Sequence, residues 1–270
     1  MKKEQVLNKL VKYLVAENRE IEVKDIPSDY MKKRKLLRAL MNIRDAEPID
    51  SDILELHDEL LSEETKEKNP VDPYKLPTAY EVFKGTKISF PEKLVLWQGD
   101  ITSIAADVIV NAANSKLLGC FVPMHRCIDN AIHSAAGIEL RLECNEIMQK
   151  QGFDEPTGDA KITNAYNLPS KYVLHTVGPI IYDKLSEDDR RLLASCYTSC
   201  LNKASEYEDI KTIAFCCIST GEFRFPKNIA SQIALNTICN WLKTNPDRFH
   251  RIIFNVFTRE DYNEYANLLR

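Results

Sequence analysis

The 270-residue chain lacks several features that define common classes of protein. No apolar run approaches the roughly 20 residues that a membrane-spanning helix needs, and the opening Met-Lys-Lys-Glu-Gln-Val-Leu has no apolar signal-peptide core. A basic excess is also missing, since 36 Lys and Arg are outnumbered by 40 Asp and Glu, which gives a formal net charge of −4. These absences predict a cytoplasmic protein that binds neither membranes nor nucleic acid.

Two sequence signatures of nucleotide chemistry are missing as well. The Gly-x4-Gly-Lys-Ser/Thr pattern of P-loops does not occur, and neither does His-x-Glu paired with a later Pro-Cys-x-x-Cys, which zinc deaminases need. Eight cysteines are present, and without a secretory signal they are expected to be reduced thiols or metal ligands. Six lie in apolar stretches and are predicted to be small buried hydrophobes: Cys144, Cys196, Cys200, Cys216, Cys217 and Cys239.

The first quarter of the chain has the pattern of helices. Apolar residues recur at helical spacing over about residues 6–14, 30–41 and 53–61. The charged stretch from Glu63 to Pro77 carries three prolines within eight residues, which predicts an irregular connector. We therefore predict a helical N-terminal extension at residues 1–75 and a second domain at residues 76–270.

From about residue 80, apolar strands alternate with helices. Strands are predicted at residues 94–97, 107–112, 160–165, 172–176, 212–218 and 252–257. Helices are predicted at residues 128–151, with a break at Gly137, and at residues 187–206, 227–243 and 261–269. The alternation predicts an α/β fold with a mainly parallel or mixed sheet covered on both faces. Ligands of such sheets bind beyond the carboxyl ends of the strands, where this sequence places its polar loops.

One of these loops combines Cys120, His125 and Cys127 just before a predicted helix. Two thiolates and an imidazole suit Zn²⁺, and three protein ligands leave a fourth position for water or substrate. Pro123 helps to keep the segment from becoming helical, as the spacing requires. The alternative is one buried thiol, one exposed thiol and an incidental histidine, and spacing alone does not decide between them.

Four further positions each allow two interpretations. Asp129 either complements a helix N-terminus or accepts a hydrogen bond from a ligand hydroxyl or a water. Ser219-Thr220-Gly221 is either a plain turn or a backbone cradle for phosphate. Asp100 either caps a helix or accepts from an exocyclic amine such as that of adenine, and Phe257 belongs either to the core or to a base-stacking site.

Taken together, the motifs resemble the macrodomain family over roughly residues 80–270. Four stretches stand in that family's order: Gly99-Asp100-Ile101-Thr102, Asn111-Ala112-Ala113-Asn114, Asp129-Asn130-Ala131-Ile132-His133 and Ser219-Thr220-Gly221. Where ordinary macrodomains carry a glycine-rich loop, this chain has the stretch from Gly119 to Cys127, which resembles the zinc-containing branch. The helical extension also resembles that branch, which is often associated with bacterial sirtuin-type ADP-ribosyltransferases.

The resemblance implies a three-layer macrodomain with a mixed central sheet and a site for ADP-ribose. By analogy, Asp100 holds the adenine amine with Ile101 beside it, and Asn114 contacts the distal ribose near Asp129. The implied diphosphate loop is Ser219, Thr220, Gly221, Glu222 and Phe223, and Phe257 is included among the substrate-binding residues. The resemblance also implies one Zn²⁺ per chain, held close to the distal ribose by Cys120, His125 and Cys127.

The activity implied is hydrolysis that removes ADP-ribose from mono-ADP-ribosylated proteins, with a carboxylate as the expected point of attachment and Asp129 and Asn114 as catalytic residues. The expected partners are ADP-ribose, an ADP-ribosylated protein and a sirtuin-type transferase system. The alternative is a module that binds ADP-ribose without turning it over, because the same architecture supports both. An open three-ligand zinc beside Asp129 favours the enzyme.

Overall fold

A computed structural model of the chain describes residues 2–18 and 25–270. The strands, in chain order, are β1 (Leu94–Gln98), β2 (Val108–Ala113), β3 (Ala160–Asn164), β4 (Tyr172–Val177), β5 (Thr212–Phe215) and β6 (Arg251–Val256). They form a sheet in the order β1-β6-β5-β2-β4-β3. Every neighbouring pair is parallel except β3 with β4. The predicted mixed α/β sheet is confirmed.

The helices of the described chain pack against the sheet or against one another. They are α1 (Lys3–Glu17), α2 (Tyr30–Ile43), α3 (Ser51–Glu67), α4 (Ala79–Val82), α5 (Ile128–Ala136), α6 (Ile138–Gln151), α7 (Glu187–Ser205), α8 (Lys227–Thr244) and α9 (Arg259–Leu269). Helices α7, α8 and α9 pack in series on one side, and α5 and α6 pack against β2 and β3 on the other. The predicted break at Gly137 is confirmed, because its φ of +106° ends α5 and starts α6.

The central strand β2 is apolar because both faces of the sheet are covered. Val108, Ile109 and Val110 are fully buried, as expected of a parallel strand inside a layered fold. The next residue, Asn111, is equally buried and lies opposite His175 of β4 in the strand register. Two polar side chains are therefore placed side by side in the core, directly before the carboxyl end of β2.

The N-terminal helices bury an apolar cluster of their own, which includes Leu7, Leu10, Leu37 and Leu60. Helices α2 and α3 also pack against α5. The predicted connector begins later than expected, because α3 continues to Glu67; the residues after 62 are good helix formers, and prolines start only at Pro70. The division at residues 75 and 76 stays a prediction.

Within the part of the chain that the structure describes, no helix is both long enough and apolar enough to cross a bilayer.

Candidate active site

A cavity of about 600 Å³ opens at the carboxyl ends of β2, β5 and β6. Parallel strands end on the same edge of a sheet, so the loops that follow them meet there. Most of the predicted site residues line this cavity: Asn114, Cys120, His125, Cys127, Asp129, Ser219, Thr220, Gly221, Glu222, Phe223 and Phe257. Residues more than 140 positions apart in the sequence are thereby brought to one site.

Asp100 and Ile101 do not line the cavity. The Ile101 side chain is buried, and Oδ1 of Asp100 accepts hydrogen bonds from the backbone N–H and the hydroxyl of Thr102, at 2.9 and 2.7 Å. Asp100 therefore caps the short 3-10 helix that follows β1, as one of its two interpretations required. The contact of Asp100 and Ile101 with adenine stays a prediction.

Asp129 is buried at the inner wall of the cavity, in the first turn of α5. Asn111 Nδ2 donates to its Oδ1 at 2.8 Å, and Asn114 Nδ2 donates to its Oδ2 at 3.3 Å. Burial raises the pKa of this carboxyl to about 6, while the hydrogen bond from Asn111 lowers it. At neutral pH the group is thus largely an oriented carboxylate, able to accept a further hydrogen bond from a ligand or a water.

The segment between β2 and α5 is folded back on itself. We call its residues 119–127 the donor loop, because they include the three predicted metal-donor side chains. Its tight start requires glycine, because Gly119 has a φ of +81° and a Cβ there would lie 2.8 Å from the His133 ring. His125 N–H donates to the carbonyl of Val122 at 3.2 Å, which closes a turn. Asn114 Nδ2 donates to the carbonyl of Gly119 at 3.0 Å and so ties the donor loop to the end of β2.

This turn brings the three predicted metal ligands together. One ligand atom from each of Cys120, His125 and Cys127 lies within 4.8 Å of the others. Cys120 Sγ is 3.7 Å from His125 Nδ1, close to the separation of about 3.5 Å that a tetrahedral zinc imposes on sulfur and nitrogen ligands. The donor set and its spacing fit Zn²⁺.

The Cys127 thiol is held in a partly buried position at the start of α5. Burial raises the pKa of the Cys127 thiol to about 12, and the neighbouring Cys120 raises it further. Its sulfur also accepts from the backbone N–H of Asn130 at 3.4 Å, at the start of α5. A bound cation would stabilise the thiolate form of Cys127, which burial in the protein alone disfavours.

The predicted diphosphate loop follows β5. Ser219 takes a φ of +64°, and its backbone carbonyl accepts from the N–H of Phe225 at 2.9 Å. The Ser219 hydroxyl is buried and has no hydrogen-bond partner among the described residues. Gly178 leaves room for it, since a Cβ at that position would lie 1.9 Å from the hydroxyl oxygen. A strained turn with an unsatisfied hydroxyl beside a cavity is consistent with ligand binding.

Several cavity residues were absent from the sequence prediction. Lys227, Asn255, Thr258 and Asp261 line the side formed by β6 and the starts of α8 and α9. Asn255 and Thr258 lie at or just after the end of β6, which was an available signal, but no motif marks Lys227 or Asp261. Cys217 also lines the cavity and is only half-buried, as is Cys239, so the prediction that all six remaining cysteines are buried is wrong for these two.

Asn111 is the missed residue closest to the predicted chemistry. It lies within the strand predicted at residues 107–112 and in one of the four family-like motifs, but no role was predicted for it. Its amide orients the Asp129 carboxylate from the core. A polar residue at a position where both strand faces are buried was the signal that could have identified it.

Comparison with known proteins agrees with this arrangement. A sequence model described as the Macro domain matches residues 110–234. A protein from Treponema medium named protein-ADP-ribose hydrolase is 45% identical over 260 residues, which are 96% of this chain and 96% of that protein. This chain belongs to the Macro domain family.

Solved macrodomain structures extend the likeness to three dimensions. The Trypanosoma brucei macrodomain in complex with ADP-ribose superposes with a TM-score of 0.65 at 26% identity, covering 86% of this chain and 95% of that one. The Oceanobacillus iheyensis macrodomain with ADP superposes with a TM-score of 0.59 at 37% identity, covering 66% and 90%. The predicted macrodomain fold is confirmed.

Proposed function

We propose that this macrodomain is a hydrolase that removes ADP-ribose from mono-ADP-ribosylated proteins, with a carboxylate as the attachment point. Its relative from Treponema medium carries the name protein-ADP-ribose hydrolase, and that similarity spans nearly the whole of both chains. The observation that carries the proposal is the inner wall of the cavity. There, the oriented Asp129 carboxylate lies two residues from Cys127 and beside the donor loop.

The proposed pose runs along the cavity. The backbone of residues 219–223 holds the diphosphate, and Phe257 contacts the adenine end with Asp100 and Ile101 nearby. Asn114 and Asp129 then face the distal ribose. Hydrolysis breaks the bond between C1″ and the carboxylate oxygen, and the water oxygen bonds to C1″. The acceptor leaves as a carboxylate, and the proton that the water loses passes to solvent. Asp129 accepts a hydrogen bond from that water and orients it.

The donor loop supports a zinc ion at the ribose end of the same cavity. Cys120, His125 and Cys127 would hold one Zn²⁺ per chain. Bound there, zinc would lower the pKa of a coordinated water toward about 7 or polarise a substrate oxygen. A sirtuin-type ADP-ribosyltransferase is the proposed source of the modified protein; the resemblance of the donor loop and the helical extension supports it.

The deciding experiment measures release of ADP-ribose from a carboxylate-linked ADP-ribosylated protein. Metal-loaded and chelated protein are compared, together with Cys127→Ala and the matched control Cys239→Ala, whose thiol lies outside the cavity. We expect release by the loaded wild type and the control, and little release by the chelated protein or Cys127→Ala.

Two other outcomes would change the proposal. Release that survives complete metal removal would leave Asp129 and its neighbours as the catalytic set, with zinc shaping the loop. Tight binding of ADP-ribose without release from any linkage would indicate the binding module instead.

A further inference from the structure

The donor loop forms hydrogen bonds with helix α2 of the N-terminal extension as well as with residues of the macrodomain. Asn42, in the last turn of α2, is 2% exposed. Its Oδ1 accepts from the backbone N–H of Met124 at 3.0 Å, and its Nδ2 donates to Ser134 Oγ at 2.9 Å. A single amide therefore joins α2, the donor loop and α5, with both of its ends satisfied.

Met124, the donor-loop residue that bonds to Asn42, has a backbone conformation that requires stabilisation by a contact from outside the loop. Met124 has a φ of +57°, a left-handed conformation that non-glycine residues adopt reluctantly. It lies directly before His125, so the backbone at Met124 sets where the imidazole points. The hydrogen bond from its N–H to Asn42 stabilises this conformation from outside the loop.

A second contact acts through Asn130 of α5, which is fully buried. Arg38 of α2 donates from Nη2 to Asn130 Oδ1 at 2.7 Å, which fixes the direction of the amide. Asn130 Nδ2 then donates to the carbonyls of Val122 and Cys120, at 3.0 and 3.4 Å. Arg38 thus acts through one side chain on two backbone groups of the donor loop.

Arg141 of α6 completes the connection. Its Nε donates to the carbonyl of Leu118, next to the donor loop, at 2.7 Å. Its Nη1 donates to the carbonyl of Met41 in α2 at 3.0 Å and also to that of Arg44. The guanidinium is buried and its donors reach both the end of α2 and the entry to the loop, so these two segments share one anchor.

We propose that Asn42 and Arg38 are positioning residues that hold the donor loop in its metal-binding conformation in the metal-free protein. Helix α2 then contributes to the active site through these two residues. The order of the donor loop is inferred from the hydrogen bonds described above. The expected gain in zinc affinity rests, in addition, on the proposed zinc site. A loop ordered in advance binds metal more tightly because less conformational entropy is lost on binding.

The first test needs no metal. Amide hydrogen exchange at Met124 is measured in the metal-free full-length wild type, in Asn42→Ala and in the control Leu37→Ala. Leu37 is a fully buried α2 residue of the N-terminal cluster, so its truncation weakens the helical packing without removing a bond to the loop. We expect exchange at Met124 to be at least about tenfold faster in Asn42→Ala than in Leu37→Ala.

The second test measures zinc affinity by competition with a chromophoric chelator. Removing an outer partner of a metal ligand set commonly weakens binding by about 10–100-fold, and we expect Asn42→Ala and Arg38→Met to do so while Leu37→Ala changes affinity by less than about threefold. Arg38→Met keeps the aliphatic stem and serves as the deciding variant if Asn42→Ala fails to fold.

The outcomes separate the two proposals. Unchanged Met124 exchange in the folded variants would overturn the positioning role. A wild type that binds no zinc would instead contradict the metal site, and the exchange rates would still decide whether α2 orders the loop.

Discussion

The carboxylate of Glu222 lies 3.5 Å from Nε2 of His125, so the predicted diphosphate loop and the donor loop meet across the cavity. Nδ1 of the same imidazole faces Cys120, which leaves Nε2 for an outer partner. Carboxylates that hold the second nitrogen of a metal-binding histidine fix the tautomer and the ring orientation. Glu222 was predicted only as a substrate contact, and this geometry leads us to expect a second role for it, in orienting a proposed metal ligand.

We expect Glu222→Ala to weaken zinc binding by several-fold rather than by the full range seen for buried outer partners, because the Glu222 side chain is 68% exposed. Chelator competition measures the change. Asp188→Asn is the control, since it neutralises an exposed ion-pair carboxylate on α7 that does not line the cavity. Equal affinities for the two variants would show that Glu222 does not hold His125.

Asn111 supports the second prediction. Asn111→Ala removes the 2.8 Å hydrogen bond to Asp129 and leaves a buried carboxylate poorly oriented. We expect kcat for ADP-ribose release to fall by about 10–100-fold, with a much smaller change in KM, because Asn111 does not line the cavity.

Thr163→Val is the control for this change. The Thr163 hydroxyl is also buried and lies 3.0 Å from His175 Nε2, but it does not contact Asp129. Thermal unfolding of both variants separates lost stability from lost activity. If kcat falls equally in both variants, catalysis depends on the buried hydrogen bonds around His175 in general, and Asn111 has no specific role in orienting Asp129.

The sequence predicted the sheet and about half of the residues that line the cavity, because strand ends and polar loops are local signals. The packing between segments was not predictable in this way. Asn42 and Arg38 lie in a helix whose pattern indicates only an apolar face, and nothing in that pattern shows that a donor loop some 80 residues later rests on it. Asn111 was missed for a different reason. It lies within an apolar strand, so its position suggested a packing residue of the core rather than a residue that acts on the site.

Phe257 gives a prediction on substrate binding. It follows β6, lines the cavity and is 78% exposed, so the core interpretation does not hold and the ring is available for stacking. Stacking on a base contributes about 1–3 kcal/mol by alanine substitution, so Phe257→Ala should weaken ADP-ribose binding by about tenfold or more in calorimetry. Tyr182→Ala is the control, because Tyr182 is 85% exposed but does not line the cavity. Unchanged affinity in Phe257→Ala would place adenine elsewhere.

The final prediction concerns pH and the contact between α3 and α6. Burial, followed by the nearby Asp58 carboxylate, raises the pKa of Glu139 to about 7. Burial also acts on Asp58, but hydrogen bonds from His57 and Asn167 outweigh it and lower the pKa of that group. Asn167 Nδ2 donates to Asp58 Oδ1 at 2.7 Å, so Asp58 stays ionised and Glu139 holds the proton of the pair.

A carboxyl whose pKa is higher in the folded state binds protons more tightly when folded. Its stabilising contribution is fully present below the unfolded value of about 4.5 and is lost as the pH rises through about 7. Glu139→Gln keeps a neutral donor beside Asp58 at every pH. We therefore expect the variant to match the wild type in thermal unfolding near pH 5 and to unfold at a higher temperature near pH 8. A constant offset between the two proteins from pH 5 to pH 8 would mean that Glu139 is not protonated in the folded protein, because only a shared proton makes the difference depend on pH.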